Sequence, residues 1–389
     1  MSEFVGRGLL VVAQVITARS LGPEQFGLFT PVFVGASLLW VVLDLGHDRL
    51  LIKATASRLQ NANALLLASL AGRIGAGTVA LVLAVGLVGL GILPLDAVPM
   101  AVWAATEAAI RSVRASLVGQ LRAPTEAVVH ISQRVLTLVC VYLLARDSSS
   151  AASAFALANV VAAALTVASV ARPERVASIL EAGRSLVTGA RSLFLVSLLN
   201  IISGQSEIFW LVAFVREAVA IAFYRSATQI LFAFLIPAQV LSTVGLTVMS
   251  RQPQRQHAAR ALFGALLIAG LGCGLAMAAF ASPIIRVVFG PAYEGAEILA
   301  LPFAATILLA YVNWGFVTLF IARGRANAVL RVTVVGAIAS VIGNVTLVPR
   351  WGIVGSGTAR ALTEFSMTNA FAYLGRAQER STADAPHST

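Results

Sequence analysis

About a dozen long apolar stretches follow one another along this chain, and the linkers between them alternate between rich and poor in arginine. That pattern is incompatible with a soluble domain. The hydrocarbon core of a bilayer, about 30 Å thick, is crossed by ~20 apolar residues in a helix. Backbone exposed to lipid has to satisfy its own hydrogen bonds, so each run is read as a helix. The runs cover residues 5–18, 26–45, 69–93, 98–118, 128–145 and 151–171, then 192–215, 218–248, 261–282, 298–322, 326–348 and 353–374. The expected fold class is an all-α integral membrane protein of about 12 transmembrane helices, in two six-helix lobes around a central cavity.

Composition agrees. Only 12% of the 389 residues are charged and 58% are hydrophobic, against roughly 25% charged in soluble domains. Twelve spans leave short loops and no room for a soluble domain. The net charge of +11 does not signal nucleic acid, because the basic residues border apolar runs instead of forming one patch. Cys140 and Cys273 both lie in apolar runs and read as packing residues. The first span, 5–18, is short for a crossing. A signal peptide competes for it but lacks a basic leader beyond Arg7, and a native start further upstream is expected.

The arginines give an orientation. Lys and Arg accumulate in cytoplasmic loops. The linkers after the second, fourth, sixth, eighth and tenth spans hold Arg49, Lys53 and Arg58; Arg111, Arg114 and Arg122; Arg172, Arg175, Arg184 and Arg191; Arg251, Arg255 and Arg260; Arg323, Arg325 and Arg331. With Arg7, Arg376 and Arg380 at the termini these make 19 basic residues. The intervening linkers hold five: Arg19, Arg146, Arg216, Arg286 and Arg350. Both termini are therefore expected in the cytoplasm.

The long basic linker 172–191 sits near the middle of the chain. It divides an N-terminal six-helix lobe, 1–180, from a C-terminal one, 181–376, with a disordered cytoplasmic tail at 377–389. Phe26-Gly27-Leu28-Phe29 and Ile221-Ala222-Phe223-Tyr224 stand half a chain apart and hint at a duplication. Two such halves with both ends on one side imply a parallel repeat about an axis along the membrane normal.

Gly22-Pro23 and Gly290-Pro291 read as helix ends, since proline lacks a donor and glycine tolerates turn geometry. The segment Ala18-Arg19-Ser20-Leu21-Gly22-Pro23-Glu24-Gln25-Phe26-Gly27-Leu28-Phe29 resembles the opening of bacterial polysaccharide and O-antigen flippases. Asp44-Leu45-Gly46 with Arg49, Phe289-Gly290-Pro291-Ala292-Tyr293 and Val348-Pro349-Arg350-Trp351-Gly352-Ile353-Val354-Gly355 resemble later motifs of that family, in family order. The resemblance spans essentially the whole chain and places it in the multidrug, oligosaccharidyl-lipid and polysaccharide exporter superfamily. It implies a flippase in the bacterial inner membrane that loads a polyprenyl-diphosphate-linked glycan from the cytoplasm. The lobes would rock to release the glycan outward while the lipid tail stays among the membrane lipids. It also implies a glycan polymerase as a neighbour in the pathway.

Ionisable side chains inside a span are costly and usually face a water-filled path. Helical spacing groups His130, Gln133, Arg134 and Thr137 into one polar stripe. Asn200, Ser203, Gly204 and Glu207 form a second, Arg225, Thr228 and Gln229 a third, and Ser356, Arg360, Thr363 and Glu364 a fourth. Such stripes in both halves predict a hydrated cavity. The substrate-binding candidates are Arg134, Arg225, Arg360, His130, Gln133, Asn200 and Gln229. Guanidinium suits a diphosphate because it stays charged and binds phosphate oxygens in pairs.

Glu207, with no basic residue one turn away, is the first candidate for coupling to a proton or sodium ion, followed by Glu364 and Asp44. Competing structural readings stand beside these. Arg360 and Glu364, and Glu107 and Arg111, have i, i+4 spacing and would neutralise each other. Arg73 can snorkel toward the interface, and Asp44, His47 and Asp48 read as interfacial. Pro31, Pro237 and Pro302 are placed to bend their helices.

No phosphate-binding loop of the G-x-x-x-x-G-K-[ST] type occurs, and the four histidines are scattered with no Cys/His cluster. Neither a cofactor nor a metal is expected, and the chain reads as a transporter, not an enzyme. Two other readings remain open: an ion-coupled multidrug or small-molecule antiporter of the same superfamily, for which Glu207 would supply the carboxylate, and a non-transporting membrane scaffold.

Overall fold

The computed structural model describes residues 2–44, 47–56, 62–120, 122–170, 178–179, 204–251 and 256–383. Arg58, Arg172, Arg175, Arg184, Arg191, Asn200, Ser203, Arg255 and the tail from residue 384 onward lie outside the described residues. Among those described, all regular structure is helical. The chain forms two compact units, Met1–Ile201 and Ile202–Thr389. The first contains α1 (Ser2–Asp44), α2 (His47–Ala56), α3 (Ala62–Gly89), α4 (Ala97–Gly119), α5 (Ala123–Leu144) and α6 (Ser148–Val170). The second contains α7 (Glu207–Phe214), α8 (Ala218–Arg251), α9 (Gln256–Val288), a 3-10 segment (Pro291–Leu299), α10 (Ala300–Ala322) and α11 (Ala326–Ala383).

Eight helices among the described residues are long and apolar enough to cross a membrane. The chain is thus a multi-pass membrane protein. The predicted fourth span corresponds to α4 but is not one of the eight. Its 23 residues carry Glu107, Arg111 and Arg114, and it is packed among α1, α2, α3 and α6. A helix enclosed in this way does not have to be apolar all round.

The longest helices are broken at a glycine that stands next to or within three residues of a proline. An unbroken 43-residue α1 would run ~65 Å at 1.5 Å per residue, about twice the hydrocarbon thickness. At Gly22 the backbone turns to φ 72°, ψ 172°, a conformation open to glycine at little cost. The segment before it lies against α5, where Gly6 meets the His130 ring. The segment after it carries Phe29 and Phe33, which pack on Phe155 of α6, Phe33 also on Trp103 of α4, with Phe26 stacked on Phe29. The first helical segment begins at Ser2 and is longer than the apolar run 5–18 indicates.

In α11 the break falls at Gly352, with φ 56° and ψ −130°, three residues after Pro349. Here the chain doubles back. A side chain at Gly355 would overlap the Leu347 carbonyl, and Ser356 Oγ lies 3.0 Å from Asn344 Oδ1. A Cβ at Gly343 would sit 3.0 Å from that of Ala359, and Val332 shares a buried cluster with Phe371. Each of these pairs is centred near residue 351, the signature of two antiparallel helices joined by a tight tip.

Pro31 and Pro237 lie inside α1 and α8. Pro302, expected to bend its helix, does not interrupt one. It occupies the first turn of α10, directly after the 3-10 segment, where an absent N–H costs no intrahelical bond.

Candidate functional site

The polar stripe of α5 is its buried face. Glu126, His130, Gln133, Arg134 and Thr137 are all buried, while Val128, Val135, Val139, Tyr142 and Leu143 are exposed. The helix turns its apolar side outward, as a lipid-facing helix must.

The stripe converges on Glu107 of α4, which is 2% exposed. Arg134 Nη2 donates to Glu107 Oε1 at 2.7 Å, and Gln133 Nε2 donates to Oε2 at 2.6 Å. Asn159 Nδ2, from α6, donates to Oε2 at 3.1 Å, and Arg111 Nε reaches Oε1 at 3.3 Å. Gln133 also donates to Asn159 Oδ1 at 3.1 Å. Three helices are tied through one carboxylate. A buried charge is tolerable only when paired and hydrogen-bonded, and Glu107 meets both conditions.

Two further pairs stand in the same unit. Arg114 Nη2 lies 2.6 Å from Glu126 Oε1, with His130 Nδ1 3.9 Å from the same oxygen. Arg73, 1% exposed, donates to Asp44, to Asp48 at 2.8 Å and to the Ala108 carbonyl. Arg73 therefore does not snorkel: carboxylates from α1 and α2 hold it inside the unit. Arg111 and Arg114, counted above with the basic linkers, lie well within α4.

In the second unit Arg360 of α11 places Nη1 2.8 Å from both oxygens of Glu207 in α7. The same nitrogen donates to the Gly204 carbonyl at 3.3 Å, and the guanidinium lies 5.3 Å from the Phe232 ring centroid. Glu207, which has no basic residue one turn away, thus finds its opposite charge in Arg360, 153 residues on in sequence. Among the described residues no ion pair joins Arg360 to Glu364. Glu364 Oε2 instead accepts from Asn313 Nδ2 at 2.7 Å, and Thr368 donates to Asn313 Oδ1 at 2.9 Å. Arg225, Thr228 and Gln229 are buried together on α8.

The predicted residues thus fall into separate clusters. Arg134, Gln133 and His130 belong to the first unit's network, and Asp44 to the Arg73 pair. Glu207 and Arg360 form their own pair, with Glu364 beside Asn313. Asn200 lies outside the described residues. Helical spacing did not single out Asn159 or Asn313, which are lone amides in apolar helices; an isolated buried amide in a span was the available signal.

An all-helical, multi-pass membrane protein with charged networks buried inside bilayer-length helices is the class that fold and site define. The chain belongs to the polysaccharide biosynthesis protein family, whose model matches residues 1–251. Its fold is similar to that of the lipid II flippase MurJ in an inward closed conformation, with a TM-score of 0.78 and 12% identity over 96% of this chain and 86% of that one. It is also similar to a multidrug resistance MATE family transporter of the MOP superfamily in an inward-facing conformation. That match has a TM-score of 0.73 and 18% identity, covering 98% of this chain and 96% of that one. A MOP superfamily transporter from Pyrococcus furiosus, described as having a binding pocket of reversed polarity, matches with a TM-score of 0.67 and 16% identity. There the coverage is 100% of this chain and 95% of that one. No curated protein matches the sequence.

Proposed function

We propose that this protein is a flippase that carries a polyprenyl-diphosphate-linked oligosaccharide across the bacterial inner membrane during polysaccharide biosynthesis. The observation that carries the reading is a charged interior, rich in arginine, in a bilayer-spanning member of the polysaccharide biosynthesis family. Maintaining several arginines inside a membrane is expensive. An anionic head group drawn through the bilayer is a cargo that gives them a use.

In this reading twelve spans form two six-helix lobes, 1–180 and 181–376, with both termini in the cytoplasm. Arg225 and Arg360 engage the diphosphate, with Gln229, His130 and Asn200 lining the path and Gln133 and Arg134 fixing its wall. Glu207 couples transport to a proton or sodium ion, because Arg360 has to leave it in order to meet an incoming phosphate. A glycan polymerase is the expected partner on the far side.

The test is vesicle reconstitution with a fluorescent polyprenyl-diphosphate-linked oligosaccharide, scored by its accessibility at the outer leaflet. Wild-type protein should accelerate translocation, and Arg225→Gln should abolish it with insertion unchanged. Translocation no faster than in empty vesicles would overturn the reading.

A second reading, an ion-coupled multidrug antiporter, is supported by the likeness to multidrug transporters over nearly the whole chain and by the Glu364–Asn313 contact. Deleting the gene separates the two. Lost drug tolerance with intact glycan export would favour the antiporter.

A further inference from the structure

In the second unit α8, α9 and α10 are all long and apolar enough to cross a membrane, and one side chain fastens them at a weak turn of α8. Pro237 stands inside α8. It has no N–H, so it cannot bond the Ala233 carbonyl one turn back. The next rung of the ladder would join the Ala238 N–H to the Phe234 carbonyl. Tyr311 of α10, fully buried, reaches both ends of that rung. Its hydroxyl donates to the Phe234 carbonyl at 2.8 Å and accepts from the Ala238 N–H. Cys273 Sγ of α9 lies 3.3 Å from the same oxygen. A Cβ on Gly270 of α9 would sit 2.8 Å from Tyr311 Cβ, so α9 makes room for the ring with a glycine.

The two neighbouring rungs differ in kind. The one at Pro237 is removed covalently. The one at Ala238 is contested by a hydroxyl that can leave. Proline and a side chain inserted into the ladder are both causes of a helix kink, and here they act on the same turn. A buried tyrosine hydroxyl needs a polar partner, and this one takes the carbonyl that the helix itself would use. If it withdraws, the Ala238 N–H and the Phe234 carbonyl can pair with each other. One hydrogen bond then replaces another, a change small in net free energy. The arm of α8 before the proline carries Arg225, Thr228 and Gln229, all buried. The bend therefore sets where that polar stripe stands relative to the far arm.

We infer that Tyr311 is a latch that holds α8 bent at Pro237, and that withdrawal of its hydroxyl lets the 234–238 rung close and the helix straighten. Tyr311 is thus a positioning residue for the α8 stripe. The inference goes beyond the flippase reading and does not depend on which cargo is carried.

The experiment measures the distance between two spin labels on the full-length protein in nanodiscs. Cys140 and Cys273 are replaced by serine, which keeps a polar partner for the Tyr311 hydroxyl. Labels are attached at Val244→Cys and Leu301→Cys, both exposed positions. Val244 lies past the proline by about 10 Å along the axis, so a change of bend of about 20° moves it by ~4 Å. Tyr311→Phe, which removes one oxygen and keeps the ring, should shift the distance by about 2 Å or more. Pro237→Ala should shift it less, because the hydroxyl still occupies the next rung. The double substitution should shift it furthest. The melting temperature of Tyr311→Phe should change little, since closing the rung leaves neither backbone group unpaired.

A smaller shift in Tyr311→Phe would make the hydroxyl a static contact and overturn the inference. The full shift in Pro237→Ala alone would assign the bend to proline and overturn it as well. If Tyr311→Phe does not fold, Gly270→Ala decides the matter. Its methyl displaces the Tyr311 ring, so a shift of about 2 Å or more is again expected, and an unchanged distance would overturn the latch. None of these outcomes bears on the cargo, so the flippase reading stands or falls separately.

Discussion

Arg134 and Glu107 are 27 residues apart in sequence, and their charged atoms stand 2.7 Å apart in a site where both side chains are at most 4% exposed. The pair lies between α4 and α5, and Gln133 and Asn159 complete the carboxylate's hydrogen bonds. It works as a joint of the first unit before it can work as anything else.

Removing one member of a buried pair leaves the other charge uncompensated, at a cost of about 3–5 kcal/mol. Glu107→Gln is expected to lower the thermal stability of the purified protein by that order, and Arg134→Gln, which leaves Glu107 still paired with Arg111, by less. The double substitution should recover much of the loss, since it buries two neutral amides. A double-mutant cycle in detergent measures the coupling. If Arg134→Gln is as stable as wild type yet inactive, Arg134 acts on substrate and the structural role is wrong.

The Arg360–Glu207 contact is expected to respond to shape as well as charge. One nitrogen, Nη1, meets both Glu207 oxygens; lysine can keep that contact but lacks the planar guanidinium that lies beside the Phe232 ring. Arg360→Lys should therefore reduce transport markedly, and Glu207→Gln should reduce it without a loss of membrane insertion. Vesicle transport beside a folding reporter checks both. Wild-type rates in Arg360→Lys would show that this geometry does not matter.

The α11 hairpin makes a steric prediction. At Gly355 any side chain meets the Leu347 carbonyl, whereas Gly375 has open space. Gly355→Val should destabilise the protein by about 1–3 kcal/mol or more, the usual range for overpacking. Gly375→Val should cost far less. Gly352→Ala should also destabilise, by roughly 1–3 kcal/mol, because φ 56° with ψ −130° is a strained region for a side chain. Melting temperatures of the three variants are the measurement.

The arginine distribution predicts orientation. Reporters fused at the two ends should both read cytoplasmic. Two residues counted in that argument, Arg111 and Arg114, lie inside α4, so 17 of the 19 basic residues still carry it. A periplasmic reading at either end would refute the assigned orientation.

Much of the helical framework was legible because it depends on local chemistry. The apolar runs had to become helices, Gly22-Pro23 and Gly290-Pro291 had to interrupt them, and the stripe on α5 had to face away from lipid. The partners of the charges were not legible. Arg134 and Glu207 appeared unpaired because the search was confined to one helical turn, where i, i+4 neighbours lie. Their counter-charges arrive from other helices, and an i, i+4 candidate such as Glu364 was left to an amide.

The sequence alone therefore determined that this is a helical membrane protein, where its long helices break and which face of α5 is buried, since lipid imposes those choices residue by residue. Only the tertiary structure decided which charge neutralises which. Pairing depends on distances of about 3 Å between segments far apart in the chain, and no local pattern encodes that.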